Sequence, residues 1–579
     1  MSMVKYEELD SAIGLNWYEI DPNLQQLMER LLDPADLEWC EPELKAAGAL
    51  CGGPVAARAE VTDKNPPALV KFDAWGEPLE QIIHHPGAIA TKRDLWHAGI
   101  SGPRLRQEAA RRGRAYPNVF AIALTYLLSQ AETGMLCAVG MTSSVAGLVR
   151  RFGTPEVQDR FLPRLTAARF EDAWDGAMFL TERLGGSDLS TITTTARQDG
   201  DRWVLNGFKW FCSNIDAAVI ATLARPEGAS QGLKGVALFL VPKWRRDGTR
   251  NGISIRRVKD KLGTRAVPTA EADFVDAEAY LLAGGGGATD GRGINRMMEM
   301  VNESREGVAV MSLGIMRRSF LEAAIFAAHR QAFGKLIQDL PLVRETLVNM
   351  VVELEAAAAL VFGAAADPGP ISRLLVPLAK LRATRRGVEL ASQALEIHGG
   401  NGYIENWPIA RQFRDAQCHT IWEGTENIIC LDILRAFRNE QVIGAFFTAL
   451  DGCVRSTSTL LEPVRESVAR GLNEVREALL FLSRADRELA QLRARRFGYY
   501  LADVVQGALL LEEAEWELAH RGSARKAVVA HLFADTRLRT SAVRGITSSD
   551  RTAFDLFYPL TRYEPISAAQ AEAVLRRTS

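Results

Sequence analysis

The chain is poor in cysteine, with seven in 579 residues, and none stands in a Cys-x-x-Cys pair or at any other metal-ligand spacing. Cys40, Cys51, Cys137, Cys212, Cys418, Cys430 and Cys453 are odd in number and widely scattered, which argues against a disulfide framework and points to a reducing cytosol. An excess of charge of one sign is also missing. Lys and Arg total 69 against 71 Asp and Glu, a formal net of −2, so there is no general polycation to hold nucleic acid or anionic lipid. Nor does any run reach the ~18 apolar residues of a membrane span. The most apolar stretch, Ala356–Ala366, has 11 residues, mostly Ala, between Glu355 and Asp367. Met1–Asp10 carries three acidic residues and no basic lead into an apolar segment, so a secretory signal is not expected. These absences together predict a soluble, cytoplasmic protein.

The composition that is present, 47% apolar and 24% charged, suffices for a large buried core. At roughly 150 residues per domain the length implies three or four domains. From Pro22 to about Asp172 apolar residues recur with helical spacing, as in Leu24, Leu27, Met28, Leu31 and Leu32. Asn65-Pro66-Pro67 and Trp75-Gly76-Glu77-Pro78 interrupt this pattern and predict an ordered irregular loop over Asp63–Pro86. From Trp174 to about Ala283 the chain changes to short β-type runs separated by turn residues such as Asn206-Gly207. The Gly284–Gly287 run predicts a flexible surface loop, after which helical periodicity returns as far as Arg438. Leu472, Val475, Leu479, Leu482, Leu489 and Leu492 then predict one apolar helical face in the tail.

Several motifs lie along this α-β-α order. Met178-Phe-Leu-Thr-Glu-Arg-Leu-Gly-Gly-Ser-Asp188 opens the β segment, and Leu205-Asn-Gly-Phe-Lys-Trp-Phe-Cys-Ser-Asn214 follows. Arg330-Gln-Ala-Phe-Gly-Lys335, His398-Gly-Gly-Asn-Gly-Tyr403, Arg414-Asp415 and Ile421-Trp-Glu-Gly-Thr-Glu-Asn427 come later. As an ordered set they resemble the acyl-CoA dehydrogenase flavoproteins. Departures from the common pattern resemble the adaptive-response AidB-like branch: Arg183-Leu184 where Pro-Gly is usual, Lys209-Trp-Phe-x-Ser213, Trp422-Glu-Gly424 and Cys430-Leu-Asp-Ile-Leu-Arg435. Asn65-Pro-Pro, Asp73-x-Trp-Gly and His85-Pro86 look like that branch too. The resemblance implies an α+β fold with an N-terminal α-helical domain (1–174), a middle β domain (175–285), a C-terminal four-helix-bundle domain (286–440) and a helical C-terminal extension (441–579).

Removing hydrogens from the α and β carbons of an acyl thioester needs a base for a weakly acidic proton and an acceptor for a hydride. By resemblance the acceptor is FAD and the base is Glu423. A surface loop or helix cap is the ordinary reading of such a Glu. Some relatives carry the base just before an Arg matching Arg305; here that slot is Ser304, and Glu303 is turned ~100° away. Arg305 matches an arginine near CoA, with an intrahelical ion pair as the plain alternative. Met178, Leu180, Thr181, Gly186 and Ser187 would serve the flavin ring and pyrophosphate. Phe211 and Ser213 stand where Trp and Thr are common, and sheet core is the other reading of Phe211. Arg330 and Phe333 match residues that reach the FAD of a neighbouring subunit, which implies a homo-oligomer, either dimer or tetramer. Gly399 and Gly400 would admit the adenine end. Glu396 replaces a usual Gln, and its carboxylate would repel a pyrophosphate unless another donor engages it. Thr425 and Asn427 complete the flavin set, while Ser187, Asn302, Arg305, Trp422 and Gly424 form the substrate set. Electron-transferring flavoprotein is the implied electron acceptor. His398 and His419 lack a second ligand at metal spacing and read as packing residues.

Two function classes stay open. One is the dehydrogenase, with a short or branched acyl chain implied by the bulk of Trp422, or with a carrier-protein thioester or a specialised metabolite as substrate. The other is a flavoprotein that binds DNA and protects it from alkylation. Residues 441–579 hold 18 Arg and Lys526 against 17 carboxylates, a net of +2. Arg493, Arg495, Arg496, Arg521, Arg525 and Lys526 are the cations available for a patch, with solvated helix faces as the plainer reading.

Overall fold

The computed structural model describes residues 4–575 except 201, 368, 456–457 and 540–551. The chain forms two compact units. One gathers the residues up to Pro54, Pro117–Ala131 and those from Val308 onward; the other takes Val55–Tyr116 and Glu132–Gly307.

The second unit holds a hairpin of β1 (Ala68–Phe72) and β2 (Pro78–Ile83) in the segment expected to be an irregular loop. Leu69 and Ile82 pack on the core of the β domain, and that anchorage makes strands of a stretch rich in breakers. The domain itself comprises β3 (Gly176–Phe179), β4 (Thr195–Asp199), β5 (Arg202–Ser213), β6 (Val219–Pro226), β7 (Ala237–Pro242), β8 (Ile253–Val258) and β9 (Thr269–Leu281). Their order is β3-β6-β4-β5-β9-β7, with β8 on β9 and β7 returning to β6, so the sheet closes on itself. Closure removes exposed sheet edges.

The pleat is visible in β9, where Ala270, Ala272 and Phe274 point inward and the phase then shifts to Ala277 and Ala279. The switch falls at Asp276, whose φ is +47°, opposite a register break in β5. One extra residue flips every later side chain to the other face. The outward residues of β6, Val219, Ala221 and Leu223, pack with Val145 and Val149 of the Thr133–Phe152 helix and with Met297 and Met300. Gly284–Gly287 is exposed, and Gly286 N–H closes a turn onto Ala283 at 3.0 Å.

In the other unit the Pro341–Ala366 helix is apolar on every side, and a helix of that kind belongs in a core. It is long and apolar enough to cross a membrane by composition, yet 89% of its most apolar window is buried inside the protein. Against it pack the Ser372–His398 helix, which in turn carries Pro408–His419 and Glu426–Ala436, the Asn118–Ala131 helix, and the long Arg487–Arg521 helix of the extension. Gly498 lets that last helix approach closely, since a Cβ there would stand 3.2 Å from Leu381 and 3.5 Å from Cys430 Sγ.

The leucine stripe of the tail needs correction. It belongs to two helices, Glu462–Arg484 and Arg487–Arg521, the second capped by Asp486, and Leu492 is 70% exposed. The basic cluster needs correction as well. Arg525 and Lys526 are buried rather than solvated: Lys526 contacts Glu355 at 2.8 Å and Glu513 at 2.6 Å, and Arg525 pairs with Glu355. Arg521 pairs with Glu29. Buried cations survive only when paired in this manner.

Candidate active site

In the β unit, the motif after β3 forms a loop built around one buried ion pair. Glu182 accepts from Lys209 Nζ at 2.9 Å, from Thr193 Oγ1 at 2.6 Å and from Thr193 N at 2.7 Å. Burial works against the charge, but the Lys209 ammonium and the hydroxyl donors prevail and hold the carboxyl down to about 2. Glu182 and Gly185 also exchange backbone hydrogen bonds at 3.2 and 3.1 Å, so the loop is stapled at its base. Sequence reasoning gave neither Glu182 nor Lys209 a role; both stood inside quoted motifs, 27 residues apart.

Above this staple, Thr181 is half-buried and its carbonyl accepts from Trp210 N at 2.8 Å. Gly186 folds against it closely enough that a Cβ would meet Thr181 Oγ1 at 2.7 Å. Gly186 and Ser187 are exposed, whereas Met178 and Leu180 pack partly on the core. Arg183, the residue that departs from the common motif, lies over the Phe208 and Trp210 rings at 5.4 and 5.7 Å. Phe211 is 52% exposed, which removes the sheet-core reading. Ser213 Oγ shares a hydrogen bond with Thr269 Oγ1 at 3.0 Å. On the Gly293–His329 helix, Asn302 is exposed and accepts from buried Arg305 at 3.3 Å, while Glu303 faces Ser144 and Arg151.

In the helical unit, Glu423 occupies the turn between the Pro408–His419 and Glu426–Ala436 helices. Ile421 and Trp422 N–H groups bond Cys418 O at 3.0 and 3.1 Å, closing the first helix. Glu423 then adopts φ +56° and Gly424 +109°. Two successive positive φ values suit glycine and are uncommon for glutamate. His419 is fully buried with Nδ1 3.1 Å from Ser312 Oγ, and its ring lies 6.0 Å from half-buried Trp422. Burial and the charge of Lys380 lower His419 to about 3, so its ring is neutral.

The start of the following helix is tied down strongly. Glu426 binds Arg385 at 2.8 Å and Tyr499, and Asn427 binds Arg495; Tyr499 and Arg495 both come from the extension. Thr425 is exposed. Elsewhere in the unit, Arg330 enters the short hairpin β10 (Gln331–Ala332) and β11 (Lys335–Leu336), and Phe333 at its tip has φ +52° and is 90% exposed. Glu396, Gly399 and Gly400 are exposed at the end of Ser372–His398. His398 stacks on Phe326 at 4.4 Å and bonds Ala394 O at 2.7 Å, the packing role expected of it. Since Arg330 N bonds Phe326 O, this stack brings the hairpin and the glycine turn together. No group of three metal-ligating side chains occurs among the described residues.

Family models match along most of the chain. They are the adaptive response protein AidB N-terminal domain (9–172), the acyl-CoA dehydrogenase middle domain (177–277) and C-terminal domain (291–437), and the acyl-CoA dehydrogenase 11 C-terminal domain-like module (441–555). Acyl-CoA dehydrogenase family member 11 of Caenorhabditis elegans is 29% identical over 86% of this chain and 84% of its own. Escherichia coli AidB is 32% identical over 65% of this chain and 70% of its own. The crystal structure of Caenorhabditis elegans ACDH-11 in complex with C11-CoA superposes with TM-score 0.81 and 26% identity, covering 98% of this chain and 93% of that one. Since these matches run from the N-terminal helices through the extension, the chain belongs to the acyl-CoA dehydrogenase family.

Proposed function

We propose that the protein is an FAD-dependent dehydrogenase of acyl-CoA thioesters in which Glu423 removes the α proton. The observation that carries this reading is the backbone at Glu423, a left-handed glutamate in a turn fastened at both ends. Strain of this kind persists where a side chain must be aimed. When bound, FAD supplies the hydride acceptor.

The donor set fits such a cofactor. In the β unit, Met178 and Leu180 offer an apolar wall, Thr181 and Ser187 hydroxyls, Gly186 an exposed backbone, and Phe211 and Ser213 a ring and a further hydroxyl. In the helical unit, the positions where a Cβ would stand on Gly399 and Gly400 are open, and Arg330 presents an exposed guanidinium suited to phosphate. Thr425 and Asn427 are exposed beside the base, and exposed Glu396 would engage a donor of the nucleotide. Arg330 and Phe333 would reach the FAD of a second copy, which makes the working protein a homo-oligomer. Ser187, Asn302, Arg305, Trp422 and Gly424 would hold the thioester. The four segments 1–174, 175–285, 286–440 and 441–579 serve as modules, and electron-transferring flavoprotein takes the electrons.

The bulk of Trp422 favours a short or branched chain, whereas the ACDH-11 relative was solved with C11-CoA. Anaerobic titration with butyryl-, isobutyryl- and C11-CoA should bleach the flavin band, and absence of bleaching with all three overturns the proposal. Glu423→Gln should bind acyl-CoA but lose turnover by about 10²- to 10⁴-fold, the usual worth of a general base.

A further inference from the structure

Beneath the Glu423 turn lies a buried cation. Lys380, midway along the Ser372–His398 helix, is 1% exposed, and its ammonium donates to the carbonyls of Thr420, at 3.5 Å, and Gly424. Those carbonyls bracket Ile421, Trp422 and Glu423. An ammonium has three donors, and two are directed to backbone on either side of the candidate base. Taking a lysine out of water costs several kcal/mol, and a methionine would fill similar space without that cost. The cation is therefore placed for its reach and its charge.

Several titratable groups of the neighbouring helices have their own environments or partners. His419, at the end of the neighbouring helix, is buried and neutral. On the Glu426–Ala436 helix, burial first and then the charge of Glu426 raise the Cys430 thiol, so it too is uncharged. Glu426 is matched by Arg385 and Tyr499, and Arg495 is engaged with Asn427.

We propose that Lys380 is a positioning residue for Glu423: it fixes the left-handed turn through the Thr420 and Gly424 carbonyls, and its charge favours the ionised, proton-accepting carboxylate. This rests on Glu423 being the base.

The test compares the FAD-loaded wild type with Lys380→Met, Lys380→Arg and Glu423→Gln, using butyryl-CoA and C11-CoA as probes. Lys380→Met should lower kcat by about 10- to 100-fold with KM changed less than about threefold. Because loss of a nearby cation disfavours the charged carboxylate, the acid limb of kcat/KM should move up by roughly half to one pH unit. Lys380→Arg, which keeps the charge, should leave that limb in place. A Lys380→Met enzyme with wild-type kcat, or with a lowered rate but an unmoved limb, overturns the proposal. Where that variant does not fold, Lys380→Gln, a donor without the charge, decides in the same way. Turnover retained in Glu423→Gln would instead sink the assignment of the base. A crystal structure of the Lys380 variant reads the clamp without any substrate: residues 420–424 should leave their conformation while the flanking helices hold, and an unchanged turn overturns the proposal.

Discussion

At the scale of single residues, the pair Glu182–Lys209 shows how a motif can be visible while its purpose is hidden. Each residue was legible as part of a flavin-type motif, but nothing in the local pattern says that residues 182 and 209 meet. Only the closed sheet brings them together, just as only helix packing brings Lys380 to the carbonyl of Gly424. Glu423 and the cofactor-type glycines stand out in the sequence because their spacing is local and the proposed chemistry would need those residue types. A carboxyl near 2 in the folded chain against about 4.3 unfolded contributes stability of about 3 kcal/mol, complete above pH ~4.3 and lost as the pH falls toward 2. Removing the carboxylate also strands a buried ammonium, so Glu182→Gln should cost about 3–5 kcal/mol at pH 7. Urea unfolding at pH 7 and pH 3 checks both statements, because the gap between wild type and variant should narrow in acid. A gap equal at the two pH values would show that Glu182 is not the group responsible.

At the scale of elements, periodicity located the helices and the β segment but failed where burial and patterning part company. In the β1–β2 hairpin, Val70 and Phe72 face outward and are 39% and 52% exposed, so apolar residues there do not mark a core. In the tail, Leu472 and Leu492 fit one helical stripe, yet Asp486 caps a new helix between them. A period cannot register a break that keeps its phase. Glycines on the extension divide in the same manner, by what each faces. Gly498 sits against Leu381 and Cys430, so Gly498→Leu should destabilise by about 1–3 kcal/mol through overpacking. Gly444, exposed on its helix with open space at the Cβ position, should gain about 0.5–1 kcal/mol as alanine. Denaturation midpoints of the two variants should therefore move in opposite directions, and a common direction would mean that these contacts are misjudged.

At the scale of the whole molecule, the extension is joined to the helical unit through buried ion pairs rather than laid on its surface. Arg525 and Lys526 meet Glu355 and Glu513, Arg382 meets Asp503, and burial pushes the Asp503 carboxyl up to about 6 despite that arginine. Two of the six cations available for nucleic acid are thus withdrawn, and Arg521 and Arg495 have protein partners. Binding to a mixed-sequence 30-base-pair duplex should be no tighter than about 10⁻⁴ M at physiological salt, the weak end of non-specific affinity. Fluorescence anisotropy across a salt series tests this, and sub-micromolar binding would require a basic face elsewhere on the molecule.

The contorted backbone at position 423 has a further consequence. Glycine would sit there at ease, and the strain it relieves, of order 1–2 kcal/mol, offsets or exceeds its greater freedom in the unfolded chain. If Glu423 is the base proposed above, selection for a sturdier molecule and selection for a working one pull apart at this site, and screens that reward heat resistance alone would drift toward a robust protein without that carboxylate.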